Sequence, residues 1–251
     1  MKKTILITIL ILGIVSYSNN KTIDPIKETK VIRKIAKNYS HGVLKSEEII
    51  TYSYENDQVS KIVSTSEKGD TLEKVRIKYD SGKLKQMHSE YFATKNRIKA
   101  SITKVYNYTE DLITSIVCNQ EGVIHLEFYY YNSYNQIEKK VVFRDDRIES
   151  EGNYEYFPNG NLSKIKFSYV KSSNNYSDRY SVYDDKNNPF ELIFPSAYLK
   201  IYNLAKNNVV SYRCGTIHYH CDYEYNKNNY PVKITEKRAG GEKSITTIEY
   251  E

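Results

Sequence analysis

The chain of 251 residues contains no tryptophan, 7 phenylalanines and 3 cysteines, and 39% of it is hydrophobic. The three thiols, Cys118, Cys214 and Cys221, are far too few for a disulfide-built scaffold. Cys214 and Cys221 close a short loop, which leaves two readings open, a disulfide between them or a plain hairpin. Basic residues are not clustered. Without Lys2 and Lys3, 35 Lys and Arg face 31 Asp and Glu, a balance of +4 spread along the chain. Nucleic-acid binding calls for a basic patch or stripe, so that class is excluded. No GxSxG, HExxH, Walker-A or dinucleotide fingerprint occurs. The length suits one or two ordinary domains, or one elongated repeat array.

The one apolar run is short and N-terminal. MKKTILITILILGIVSYSNN has a charged n-region at Lys2 and Lys3, then an apolar stretch from Thr4 to Val15. Too short to span a bilayer comfortably, it reads as a secretory leader over residues 1–18. The expected mature chain is exported, to periplasm, cell surface or medium, and has no transmembrane segment. The leader has the cast of a lipoprotein signal, but the acceptor position holds Tyr17, which has no thiol to lipidate. Two explanations stand: cleavage near Ser16 releases a soluble protein, or the chain derives from lipoproteins and has lost its anchor.

What the sequence has in quantity is tyrosine, 26 residues. An apolar ring with a polar tip suits half-buried sheet faces. Seven stretches align: TYSYENDQVSKI (51–62), RIKYDSGKLKQM (76–87), VYNYTEDLITSI (105–116), FYYYNSYNQIEKKV (128–141), YEYFPNGNLSKI (154–165), YSVYDDKNNPFELI (180–193) and YEYNKNNYPVKI (223–234). The chain ends in IEY, as if entering another copy. The last strand tyrosines, Tyr54, Tyr79, Tyr108, Tyr131, Tyr156, Tyr183, Tyr225 and Tyr250, are mostly 23 to 29 residues apart. That period fits one supersecondary unit per repeat.

Each unit opens with strand-like alternation and continues into a turn. Asp57, Gly82 and Asp111 stand three residues after the tyrosine; Asn135, Gly160, Asn187 and Asn229 stand four after it. Gly, Asn and Asp best tolerate the positive φ of tight hairpins. Apolar residues then recur three apart, as in Val59/Ile62, Leu84/Met87, Ile113/Ile116 and Leu162/Ile165. A β-bulge at the start of the returning strand would put both on one face. The expected fold is all-β: an antiparallel meander of hairpins forming an elongated twisted or rolled sheet over 49–251. Residues 19–48 are read as a polar tether with a first strand near Val31, and Ser196 as the cap of one short helix near 196–205.

YDSGKL (79–84) and YEYFPNGNL (154–162) resemble the tyrosine–aspartate repeats of Rhs-type surface and toxin-shell proteins. Over 183–234 the chain is similar to uncharacterised Bacteroidota lipoproteins with tyrosine-rich hairpin repeats. The resemblance implies an exported, envelope-associated β-repeat protein with no assigned activity.

Chemistry is sparse. CGTIHYHC offers Cys214, His218, His220 and Cys221, but Cys221 points opposite to His220 in a strand and the spacing fits no common zinc module. Asp184-Asp185 and Asp145-Asp146 read as turns. No catalytic residue, metal site or cofactor is assigned. Tyr52, Tyr54, Tyr106, Tyr108, Tyr129, Tyr131, Tyr154, Tyr156, Tyr223 and Tyr225 form either a structural cross-strand ladder or a platform for a protein or glycan partner. The expected function is non-catalytic binding in the envelope. The alternatives are a scaffolding surface protein without small ligand and, remotely, a hydrolase with an unrecognised site.

Overall fold

The computed structural model describes residues 30–251, apart from 95–96, 171–175 and 203–205. The leader, Tyr17 and residues 19–29 of the tether lie outside the described residues. The first hairpins are formed by β1 (Val31–Ser40), β2 (Val43–Glu55), β3 (Gln58–Ser66), β4 (Thr71–Asp80), β5 (Lys83–Thr94) and β6 (Arg97–Thr109). Next come β7 (Leu112–Gln120), β8 (Val123–Tyr131), β9 (Ile137–Arg144), β10 (Arg147–Tyr156), β11 (Leu162–Tyr169) and β12 (Tyr176–Tyr183). After an insertion the chain ends in β13 (Val209–Cys214), β14 (Ile217–Tyr225), β15 (Pro231–Arg238) and β16 (Glu242–Tyr250).

Every neighbouring pair is antiparallel, and β1 pairs with both β2 and β16, so the sixteen strands close into a barrel. This corrects the expected elongated twisted or rolled sheet. Closure comes from the stretch read as tether and first strand: β1 runs from Val31↔Tyr250 to Ser40↔Glu242. Lys30 and Glu251 also exchange backbone hydrogen bonds, of 3.3 and 2.9 Å. The final IEY does enter an eighth hairpin, whose returning strand is the first strand of the chain. Closing the ring leaves no open edge to template aggregation.

The turn chemistry is largely as read. Two-residue turns at Asn56-Asp57 (φ 49° and 61°) and Ser81-Gly82 (φ 51° and 79°) have both central residues left-handed, the geometry that matches strand twist. In the third, Glu110 takes the positive φ (53°) one residue before the expected Asp111. The longer turns use Asn135, Gly160 and Asn229 at φ 57°, 89° and 61°. In two of them an asparagine stabilises the loop: Asn132 Oδ1 accepts from Tyr134 N and Gln136 N, and Asn226 Oδ1 from Asn228 N and Tyr230 N. Asn187 makes no hairpin and lies within the insertion between β12 and β13.

The expected bulges are present. Tyr54 pairs with Val59 while Ser53 pairs with Lys61, and equivalent shifts follow Tyr79, Tyr108, Tyr131, Tyr156 and Tyr225. Each extra residue turns the first apolar side chain of the returning strand to the same face as its partner three residues on. Val59, Leu84, Ile113 and Ile116 are consequently fully buried.

The described parts of the insertion, residues 184–202 and 206–208, fold over the tyrosine end and plug it. A 3-10 turn, Pro189–Leu192, is capped by the Asn188 side chain, which accepts from Phe190 N at 3.0 Å. The helix α1, Ser196–Ile201, is shorter than expected, and residues 203–205 lie outside the described residues. Ser196 is its first residue rather than its cap. Pro195 takes the N-cap position without a side-chain bond. Ile193, Ala197, Tyr198 and Ile201 of the plug join one buried cluster with Tyr106, Tyr129 and Tyr154 of the wall. The lumen, not an outer face, is where the core sits.

Candidate functional site

Contact with the plug fixes which face of each strand points inward. Tyr106 packs on Tyr198 with ring centroids 6.2 Å apart, Lys104 Nζ donates to Tyr202 Oη at 2.9 Å, and Lys34 Nζ lies 4.2 Å from the Phe190 ring centre. Strand alternation then places all ten candidate platform tyrosines on the lumenal side. Tyr106, Tyr129 and Tyr154 are buried. Tyr52, Tyr54, Tyr108, Tyr131 and Tyr156 pack against that core, and Tyr223 and Tyr225 stack in line with it, 5.8 Å apart. A ligand would meet these rings only from inside the barrel.

Their hydroxyls are arranged in a circuit that the repeat alone does not reveal. Tyr54 donates to Val31 O, Tyr108 to Leu84 O, Tyr131 to Ile113 O, Tyr183 to Leu162 O and Tyr250 to Pro231 O, at 2.6–3.0 Å. Tyr156 bonds the Ile137 backbone in the same way. In each case the tyrosine ending one hairpin bonds the start of the returning strand of the hairpin before it. The circuit breaks twice. Among the described residues Tyr79 Oη is buried without a partner, and Tyr225 donates instead to Asp184 while Tyr223 takes Val209 O. Burial pushes the hydroxyls of Tyr54, Tyr79, Tyr108 and Tyr156 up to about 12.

Asp184 ties the plug down. It accepts from Lys186 N and Asn208 N, each at 3.0 Å, from Asn208 Nδ2 and from Tyr225 Oη. Its oxygens are occupied by protein donors, as turn chemistry requires.

Under α1 lies a lumenal charge cluster without a signal in the sequence pattern. Lys140 Nζ is 2.8 Å from Glu127, and Tyr129 Oη donates to the same carboxylate. Burial alone would raise Glu127, but Lys140, the Tyr129 bond and Lys104 outweigh it and hold the carboxyl below its ordinary value. Tyr106 Oη donates to Met87 Sδ at 3.1 Å. These groups satisfy one another and sit beneath a packed helix, which describes a structural network more than a reaction centre.

A cavity of about 330 Å³ lies on the other side of the plug, between the 3-10 turn and the lumenal faces of β1 and β13–β16. Lys34, Phe190, Tyr212, Tyr223, Glu236 and Thr246 are among its walls. Toward the far rim, inward-facing Cys214, Ile217 and Arg238 are exposed, so water enters the lumen from that end.

The CGTIHYHC group is divided by the sheet. His218 and His220 are on the outer face, where His220 Nε2 is 3.1 Å from Asp222, and Cys221 is lumenal and buried. Cys214 and Cys221 are both free thiols. The register sets Cys214 opposite Ile217 but His220 opposite Ser211. The two sulfurs therefore sit at different levels of the hairpin, about 13 Å apart along the strand, beyond disulfide reach.

The outer face is charged. Ion pairs cross adjacent strands at Arg76–Glu90 (2.9 Å), Lys164–Glu155 (2.7 Å), Lys233–Glu224 (2.6 Å) and Lys237–Asp222 (2.7 Å). An apolar strip interrupts it on β6–β10, where Val105, Val117, Leu126 and Phe143 stand side by side, Phe128 and Phe143 meet edge-on at 5.6 Å and Tyr130 is 52% exposed. No helix among the described residues is long and apolar enough to cross a membrane, a statement that leaves the strands aside.

No protein-family model matches the chain, and no curated protein matches it. Solved structures do. A porin-like protein from Bacteroides uniformis superposes with TM-score 0.55 at 11% identity, covering 88% of this chain and 96% of that one. A porin-like protein from Bacteroides vulgatus covers 89% and 99% at TM-score 0.42 and 14% identity. A chain of the TcdB2-TccC3-Cdc42 structure covers 79% of this chain but 12% of its own length, at TM-score 0.32 and 15% identity. The first likeness is one of fold; the other two are too weak to argue from.

Proposed function

We propose that the chain is an exported, non-catalytic β-barrel that stands in the aqueous part of the cell envelope and binds a partner through its lumen. The observation that carries this reading is the direction of alternation. A lipid-embedded barrel is apolar outside and polar within, and each Lys or Arg at the bilayer midplane costs about 2–4 kcal/mol. Here charge lines the outer wall and large rings line the inner one. Lys74, Arg76, Lys164, Lys166, Lys233 and Lys237 project outward, and the ten repeat tyrosines, with Val59, Leu84, Ile113 and Ile165, project inward. The apolar strip spans β6–β10, five strands of sixteen, and does not encircle the barrel as a lipid-facing belt would. Export rests on the leader, and the porin-like likeness is consistent with it only at the level of fold.

Fractionation tests the placement. The full-length protein expressed in a bacterium is expected in the envelope or medium, processed at its N-terminus and soluble without detergent. Recovery only in detergent would overturn the aqueous placement, and retention in the cytosol with Met1 intact would overturn export. A purely scaffolding role is favoured by the tyrosine circuit, which commits most rim hydroxyls to the wall itself. Pull-down and glycan-array screening of residues 19–251 separates the two: a saturable partner supports binding, and a blank screen supports the scaffold.

A further inference from the structure

The charged groups of the lumen fall into two kinds. Glu127, Lys140 and Lys104 are partnered within the wall and plug. Lys34 is not. It projects from β1 into the cavity and is half-buried. Among the described residues its ammonium has no carboxylate and no hydrogen-bond acceptor, only the Phe190 ring. An ammonium has three donors and needs acceptors, and a half-buried, unpaired charge is costly unless water or a ligand completes it. Burial accordingly lowers the Lys34 ammonium to about 8.

The other charge in the cavity wall, Glu236, is placed differently. It already accepts from Tyr212 Oη at 2.8 Å, and it faces Ser244 across β15–β16, whereas Lys34 faces Ile248 across β16–β1. The two charges therefore lie at different levels of the lumen and do not neutralise each other directly. Between them stand the hydroxyls of Ser244 and Thr246 and the rings of Phe190, Tyr212 and Tyr223. The volume of about 330 Å³ is at the small end of the roughly 300–1,000 Å³ of ligand sites.

We propose that this cavity is a binding site for a small organic monocarboxylate with an aromatic or apolar body, its carboxylate paired with Lys34 and its body between Phe190, Tyr212 and Tyr223. One cation with hydroxyl donors beside it suits a single carboxylate. Glu236 in the same cavity opposes a second negative charge, which disfavours phosphates and dicarboxylates. The aromatic walls favour a flat apolar body over a bare ion.

Isothermal titration calorimetry on the purified protein at neutral pH tests this, with 3-phenylpropionate, 3-phenylpropan-1-ol, 3-phenylpropylamine and phenylsuccinate as probes. Saturable binding is expected for the monocarboxylate, with the alcohol weaker by about tenfold or more, a difference of about 1.4 kcal/mol, and the amine not bound. Phenylsuccinate is expected to bind weakly and to recover in Glu236→Gln. Lys34→Met should erase the preference for the acid over the alcohol, and Lys61→Met on the outer face should not. The proposal is overturned if the acid and alcohol bind alike, if neither binds, or if Lys34→Met keeps the preference. The probe series on the unaltered protein decides the question even if the Lys34 variant fails to fold. Solubility and export stand or fall separately, by fractionation.

Discussion

The two rims of the barrel are built from the same strands and do opposite things. At the tyrosine rim, turns of fixed chemistry, bulges and the plug pack Val59, Leu84, Tyr106, Ile113 and Ile116 to full burial. At the far rim, Val43 is 57% exposed, Ile98 51% and Val123 45%, and the lumen is wet. A sixteen-strand circumference is too wide for wall side chains alone to fill. One rim solves this with an inserted segment and large rings, and the other does not solve it. Stability should therefore be concentrated at one end and access at the other.

The largest way to break this contrast is to remove the strand that closes the tyrosine rim. Deleting residues 30–40 is expected to abolish cooperative unfolding and expose β2 and β16 as pairing edges, seen as loss of a calorimetric transition and as aggregation in light scattering. A permutant that joins Glu251 to Lys30 and opens the 67–70 turn is expected to retain the transition, since it restores the split hairpin covalently.

Next in size is the difference between cores. Ile113→Ala is expected to cost about 2–5 kcal/mol, and Ile98→Ala about 0.5 kcal/mol or less, read from denaturant midpoints at unchanged slope. Equal costs would mean that the rims are not distinct.

The hydroxyl circuit gives a sharper comparison within one rim. Tyr108→Phe removes the bond to Leu84 O and is expected to cost about 0.5–1.5 kcal/mol. Tyr79→Phe removes a buried hydroxyl that has no partner among the described residues and is expected to be neutral or stabilising.

The smallest net effect is with pH, because two sets of groups oppose each other. The folded state lowers Lys34 to about 8, below the roughly 10.4 of an unfolded lysine. The unfolded chain then binds the extra proton, and stability rises as pH climbs from about 8 toward 10. The rim tyrosines are raised to about 12, above the roughly 10 of an unfolded tyrosine, so their contribution is complete below 10 and is lost as pH climbs further. Cys221, raised by burial to about 11 from the roughly 8.5 of an unfolded cysteine, loses its contribution over the interval in which Lys34 gains. The melting temperature is therefore expected to stay nearly level from about pH 8 to 10 and to fall above it, and Lys34→Met should make the fall begin earlier.

Much of the tyrosine rim was legible because its devices are local. A tyrosine, a turn residue that tolerates positive φ and two apolar residues three apart specify a bulged hairpin wherever they occur, and Tyr54-Asp57-Val59-Ile62 does so without reference to the rest of the chain. The displaced positive φ at Glu110 is a one-residue difference within the same turn. Closure was not legible. Nothing in VIRKIAKNYS says that it pairs with a strand more than two hundred residues away, and polar-lysine composition makes that strand look like tether. Nor was the lumen legible: Lys34 and Glu236 carry no motif, and they share a cavity only because β1, β15 and β16 are neighbours in the closed ring.

By itself, then, the sequence determined the hairpin: its tyrosine face, its turns and its bulges, all set by interactions within about a dozen residues. The tertiary structure alone decided that eight such units form a ring, that the tyrosine face is the inside of it, and that an insertion seals one mouth. Those outcomes depend on pairings between distant segments, which strand periodicity leaves open because a pattern of alternate residues defines two faces without saying which will be enclosed.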